Sequence, residues 1–294
     1  MQPARSDLQS EIADRIASGQ PCWFPGLAAT LVERFWAETK RLERSTYSTA
    51  AWLGEPAGSH AAIPAQPAMR IEEVPPFFAR RFQPSDVRNS AAALAVGEAL
   101  RCFGGLSAAG AVARLVRSIH CIASGGPGYD CSHSEPGIPF SVLVSVPVGE
   151  RHAVLRLAES LLHEAMHLQL TLIERQAPIA HADGGSGFSP WQQTDRPVEG
   201  LLHGLYVFTA IHQWLSLLAL LPQLDTEADA YIARRCDDIA EEVGGMSALP
   251  AHPGLTEFGK MLARNLLSAV LSEPGGSKAE WTSSQIASGS SAGR

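Results

Sequence analysis

The chain has 294 residues, about 45% of them apolar and 18% charged, which is enough apolar material for a sizeable core and excludes wholesale disorder. The formal net charge is −7 and no basic run or basic–aromatic stripe occurs, so the electrostatic footprint of a nucleic-acid binder is missing. No apolar run reaches the roughly eighteen residues of a membrane span, and the charged segment from Met1 to Gln20 does not read as a signal peptide. Five dispersed cysteines without CxxC spacing (Cys22, Cys102, Cys121, Cys131 and Cys236) fit a reduced, cytoplasmic setting.

In chain order, the spacing predicts helices from Ser6 to about Ser18 and from about Leu27 to Glu43, the second with Leu31, Val32, Phe35 and Trp36 on one face. Five prolines between Ser45 and Pro84 predict irregular chain. Alanine and leucine return from Pro84 to about Val116, giving one or two helices interrupted at Gly104-Gly105. Arg114–Ala123 and Phe140–Val146 read as two strands of a small antiparallel sheet. A long helix then runs to Ile173, a glycine- and proline-bearing loop covers 176–195, and a helix from about Pro197 to Leu221 opens with proline in its first turn. Helical periods fill 225–243 and 254–272, and the Ser/Gly-rich tail from 274 to 294 reads as disordered. The expected architecture is a mostly helical α+β protein: an N-terminal helical region over 1–110, a metal-binding catalytic core over 111–273 and the tail.

The chemistry sits in Leu161-Leu162-His163-Glu164-Ala165-Met166-His167, an HExxH pattern on a helix. Histidines four apart project from one face one turn apart, close enough for two imidazoles to share an ion, with Glu164 beside them as the candidate catalytic carboxylate. The bland alternative, a chance match in an amphipathic helix, is weakened because two buried imidazoles without a partner are costly. The sequence after His167 lacks the glycine and third histidine of metzincins. The third ligand is therefore sought on the 197–221 helix, where Glu199 and His203 are again four apart, and spacing leaves both open. Glu174, about two turns past His167, reads as too distant for the same ion. Of the other histidines only His133 is kept, as a possible substrate contact.

Three segments together carry a resemblance: 157–167 with the HExxH motif, Ser189-Pro190-Trp191, and Arg196-Pro197-Val198-Glu199-Gly200-Leu201-Leu202-His203-Gly204. With the upstream 132–139 and 141–147, they resemble the HExxH-motif proteins encoded beside peptide natural-product precursors, over roughly residues 110–220. The resemblance implies an Fe(II)- and 2-oxoglutarate-dependent hydroxylase acting on the β-carbon of a residue in a ribosomally made peptide. It implies iron on His163, His167 and His203, and Arg196 on the distal carboxylate of 2-oxoglutarate, which a planar guanidinium suits. Glu199 then becomes a partner that orients a ligand histidine. A further expectation is that the 140–146 strand pairs with an extended peptide substrate.

A second reading is a zinc metallopeptidase, with Glu164 as general base and Glu199 as third ligand. Spacing alone favours zinc; Arg196 and the resemblance favour the oxygenase. A purely structural ion fits worst, because such sites take four ligands, often cysteine, and no cysteine lies near the motif.

Overall fold

In the computed structural model of the chain the described residues are 5–24, 26–43, 69–85, 90–104, 106–126, 128–134, 140–147, 149–221 and 225–272. The expectation of a disordered tail over 274–294, and most of the irregular 45–84 stretch, lie outside them. The apolar periods become helices α1 (Arg5–Ala17), α2 (Leu27–Glu43), α3 (Ser90–Arg101), α4 (Ala108–Leu115), α5 (Ala153–Glu174), α6 (Val198–Leu218), α7 (Thr226–Gly244) and α8 (Glu257–Leu271). A small sheet holds β1 (Arg70–Glu72), β2 (Ser118–Ile122), β3 (Ser132–Ser134) and β4 (Ser141–Ser145). A separate hairpin joins β5 (Ser186–Ser189) to β6 (Thr194–Pro197). The protein is thus a mostly helical α+β fold, as its periodicity predicts.

Capping explains several boundaries. Asp225 accepts from the Ala228 amide at the start of α7, and Thr256 accepts from the Gly259 amide at the start of α8, each satisfying a donor that the helix leaves unpaired. Pro197 stands at the N-cap of α6, where a missing N–H costs nothing.

α5 is the central element. Its buried residues cover almost the whole circumference, among them Leu157, Leu161, Leu162, Met166 and Leu170. From Leu155 onward, the positions not fully buried are Arg156, Ser160, His163, His167, Thr171 and Glu174. Their steps of four, three, four, four and three residues trace one stripe along the helix. α6 packs beside α5 and is apolar nearly all round; it is long and apolar enough to cross a membrane, but 72% of that window is buried inside the fold. α7 and α8 cover α6, α3 and α4 lie on α5, and α1 lies on α8. One continuous core therefore includes Leu8, Ile12, Trp23 and Phe103 from the first part of the chain together with Leu162, Trp214 and Leu266. A buried polar knot ties these parts: the Cys22 carbonyl accepts from Gln169 Nε2 (2.9 Å) and from the Tyr206 hydroxyl (3.2 Å), and the Cys22 amide donates to Gln213 Oε1 (3.0 Å).

The sheet differs from expectation. Its order is β1-β2-β4-β3; β2 pairs with β4 in parallel and only β3–β4 is antiparallel. The chain passes from β2 to the edge strand β3 first, and β4 then lies between β2 and β3. All five residues of β4 are buried, because α5 covers one face and Val74, Phe78 and Ile122 gather around Leu143 on the other. Both edges of β4 are thus occupied, so this strand has no free edge to take up a peptide, contrary to the expectation from sequence. The edge strand is β3.

Candidate metal centre

The α5 stripe faces α6 and β3, and this places the predicted histidines together. His163 Nε2 and His167 Nε2 lie 3.1 Å apart. Two nitrogens that each bind one ion at about 2.0–2.1 Å stand roughly 3 Å apart, so the pair fits shared ligation. His203, one helix away on α6, sets its Nδ1 3.1 Å from His167 Nδ1, with the two rings stacked at 5.4 Å. The three imidazoles form a chain with His167 in the middle.

Burial keeps these rings neutral. Desolvation, helped by the nearby Arg235 charge, lowers His163 to about 4, and desolvation with the His163 charge lowers His167 to about 3. A neutral imidazole is the metal-ligating form. The same shifts set the acid stability of the metal-free protein. An unfolded histidine gains its proton near pH 6.5, and the folded rings do so only near 4 and 3. Stability from this source is full above about pH 6.5 and falls as pH drops toward 4. The chelated protein should melt at lower temperature at pH 5 than at pH 7, and His163→Asn/His167→Asn should flatten that slope. Equal slopes in the two proteins would dismiss this account.

Glu164 is buried and accepts a 2.6 Å hydrogen bond from Ser132 Oγ on β3; its Oε1 is 3.9 Å from His163 Nε2. A cavity of about 350 Å³ opens over the site, lined by His163, Glu164, His167, His203, His133 and Gln192 among others. His133, retained from the sequence as a substrate contact, is therefore at the cavity wall, with its ring near Phe78 and Phe82.

Glu199, the other candidate ligand, is exposed and borders neither this cavity nor its neighbour. It groups instead with Glu174 and His203, their ligand atoms all within 4.8 Å of one another. Glu174, which looked too far along α5 from the pair, accepts from His203 Nε2 at 3.0 Å. The helix rise does separate Glu174 from His167, but α6 crosses α5 so that His203 spans the gap.

Arg196 lies exposed on β6, outside the linings of both cavities. A guanidinium that no motif announced borders the pair. Arg235 on α7 lines a second cavity of about 400 Å³ that shares His163 and Ser132 with the first. Its Cζ is 5.6 Å from the centroid of Phe208, a ring that itself lies 5.6 Å from His163. Arg235 Nε donates to Glu159 Oε2 (3.1 Å), and the Tyr231 hydroxyl donates to Glu159 Oε1 (2.6 Å). Arg156, the other cation there, spends both ends of its fork on Asp130 and Glu150. A Tyr231/Arg235 spacing of four on one helix was the only sequence signal for this group.

The β5–β6 hairpin, missed because its short strands sit in a loop-like composition, lays Trp191 flat on Phe208 at 4.9 Å and 12°. Gly204 makes the approach possible, since a Cβ there would stand 2.8 Å from the Trp191 ring. Phe208, backed by Trp191, walls the cavity beside His163.

No protein-family model matches the chain, and among curated proteins none matches it significantly.

Proposed function

We propose that this chain is an Fe(II)- and 2-oxoglutarate-dependent oxygenase that hydroxylates the β-carbon of a residue in a ribosomally made peptide. The observation that carries the reading is the chain of imidazoles His163, His167 and His203, contributed by two packed helices, with a guanidinium-lined cavity adjoining its outer end. The peptide class rests on the resemblance of residues 110–220. Iron, when bound, supplies the dioxygen chemistry, with 2-oxoglutarate as the electron donor.

In this reading His163 and His167 hold the ion by Nε2, with His203 at the other edge of His167. Arg235, rather than the exposed Arg196, anchors the distal carboxylate, because it borders the cavity that shares His163. Ser132 keeps the Glu164 carboxylate turned to β3, so Glu164 orders the wall of the site. Phe208, held in place by Trp191, shields His163 from water on one side, and the peptide passes along the cavity bordered by the edge strand β3.

The test is anaerobic reconstitution with Fe(II) followed by titration with 2-oxoglutarate, watching for a visible charge-transfer band. The band should appear in the native protein and vanish in His163→Ala. Arg235→Gln should shift the titration midpoint by about tenfold or more, the scale of a lost charge-assisted pair, and Arg196→Gln by less than about twofold. Absence of any band, with zinc retained, would sink the oxygenase.

One observation favours the second reading, a zinc metallopeptidase: the Glu164 carboxylate lies in the same cavity as the histidine pair. Under it Glu164→Gln abolishes peptide cleavage, whereas the oxygenase keeps its iron and part of its turnover.

A further inference from the structure

We propose that Glu174 and His203 are positioning residues of the metal pair: together they hold His167 in the tautomer that carries its proton on Nδ1 and leaves Nε2 bare for the ion. The inference rests on the reading above that an ion sits on His163 and His167, but not on which metal or reaction the centre serves.

The protons follow link by link. Glu174 Oε2 lies 3.0 Å from His203 Nε2, and an ionised carboxylate is an acceptor only, so that nitrogen carries the proton. A neutral imidazole protonated on Nε2 keeps a lone pair on Nδ1, and His203 Nδ1 stands 3.1 Å from His167 Nδ1. His167 is therefore the donor of that bond. Its own lone pair is then on Nε2, the nitrogen turned to His163 Nε2 at 3.1 Å. His203 thus meets His167 on the edge away from the ion and acts through that ring. A ligand histidine that donates its other N–H to an acceptor has its orientation set and its basicity raised. His203 and Glu174 expose only 14% and 18% of their side-chain surfaces, so water competes weakly for these bonds.

The placement follows from the helices. His167 and Glu174 share one stripe of α5, but the seven residues between them carry about 10 Å of rise, too far for the carboxylate to touch the ring. His203 is in the second turn of α6, and the α5–α6 packing sets its imidazole between the two, one nitrogen toward each. One helix supplies both ends of the relay and the other supplies the link.

Two other roles make opposite predictions. As a direct ligand, His203 would add a third imidazole to the ion. A second ion on Glu174, Glu199 and His203, whose ligand atoms lie within 4.8 Å of one another, would occupy the edge of His203 that the relay needs protonated. The test uses the full-length chain, native and as His203→Ala, His203→Asn, Glu174→Ala and the double variant Glu174→Ala/His203→Ala. Co(II) affinity and stoichiometry are measured, X-ray absorption counts the imidazoles on the bound ion, and melting of the chelated proteins monitors folding. Heteronuclear NMR of the chelated native protein reads which nitrogen of each imidazole is protonated. Positioning predicts one ion per chain, and in His203→Ala an affinity loss of about 10- to 100-fold with the number of bound imidazoles unchanged. His203→Asn should recover most of the affinity, because its side-chain oxygen stands in for Nδ1 and still accepts from His167. Glu174→Ala should cost no more than His203→Ala and nothing further when added to it, since it acts through that ring. The NMR should show His167 protonated on Nδ1 and His203 on Nε2. His167 protonated on Nε2, an unchanged affinity or one imidazole fewer in His203→Ala, or no recovery in a folded His203→Asn would each overturn the proposal. So would two ions in the native chain with one lost in Glu174→Ala. A native chain that takes up no Co(II) or Fe(II) would overturn the metal centre itself, and this role with it.

Discussion

His167→Ala should cost the protein its metal. The ring stands between His163 and His203 and touches both, each at 3.1 Å, so its removal leaves two imidazoles with no common neighbour. Binding of a four-ligand structural ion is worth roughly 10–16 kcal/mol, or about 2.5–4 kcal/mol per ligand. The loss should therefore be roughly a hundredfold to a thousandfold in affinity, larger than that of His203→Ala at the end of the chain. The metal-free variant should still fold, because deleting a ring from the rim of a cavity leaves no sealed void and removes an imidazole that burial already disfavours as a cation. Anaerobic titration with Fe(II) or Co(II), read by absorption, checks this. An affinity within tenfold of the native value would place the ion elsewhere.

The second large effect is on stability. Gly254→Ala should lower the stability of the fold by about 3 kcal/mol or more, a melting shift of roughly 6–12 °C for a chain of this size class. A Cβ at Gly254 would lie 1.7 Å from the Gly184 carbonyl oxygen, and that neighbour is backbone with no rotamer to move. The contact closes the turn in which the Gly254 carbonyl accepts from the His181 amide (2.9 Å), just before the β5–β6 hairpin. The hairpin carries Trp191 against Phe208, so the variant should also weaken the wall beside His163. Thermal melting of the chelated protein reads the first effect and Trp191 fluorescence the second, in a Trp-reduced background. A variant that melts within about 2 °C of the native chain would mean the loop yields freely.

The metal pair was legible because it is local: four residues on one helix fix the relation of His163 to His167 whatever the rest of the chain does. Helix α5 and its neighbours were legible for the same reason, since a 3.6-residue apolar period declares itself within a short window. His203 could be named only with Glu199 as its rival. Two residues four apart on one helix share a face, and only the way α6 lies on α5 places His203 against His167 and leaves Glu199 in solvent.

Direction within the sheet was decided by tertiary structure. Two apolar strands separated by a long loop pair in either sense, and the parallel pairing of β2 with β4 requires the chain to cross over before it returns. Arg235 and Glu174 lie deeper still beyond sequence. Arg235 reaches His163 through the packing of α7 on α6, and Glu174 meets the site through a residue contributed by another helix. Sequence determines what is set by the backbone's own period, the helices and the histidine pair. The third imidazole, the carboxylate that aims it and the cation beside it depend on how those helices cross, because a side chain's reach is short compared with the distance separating these residues along the chain.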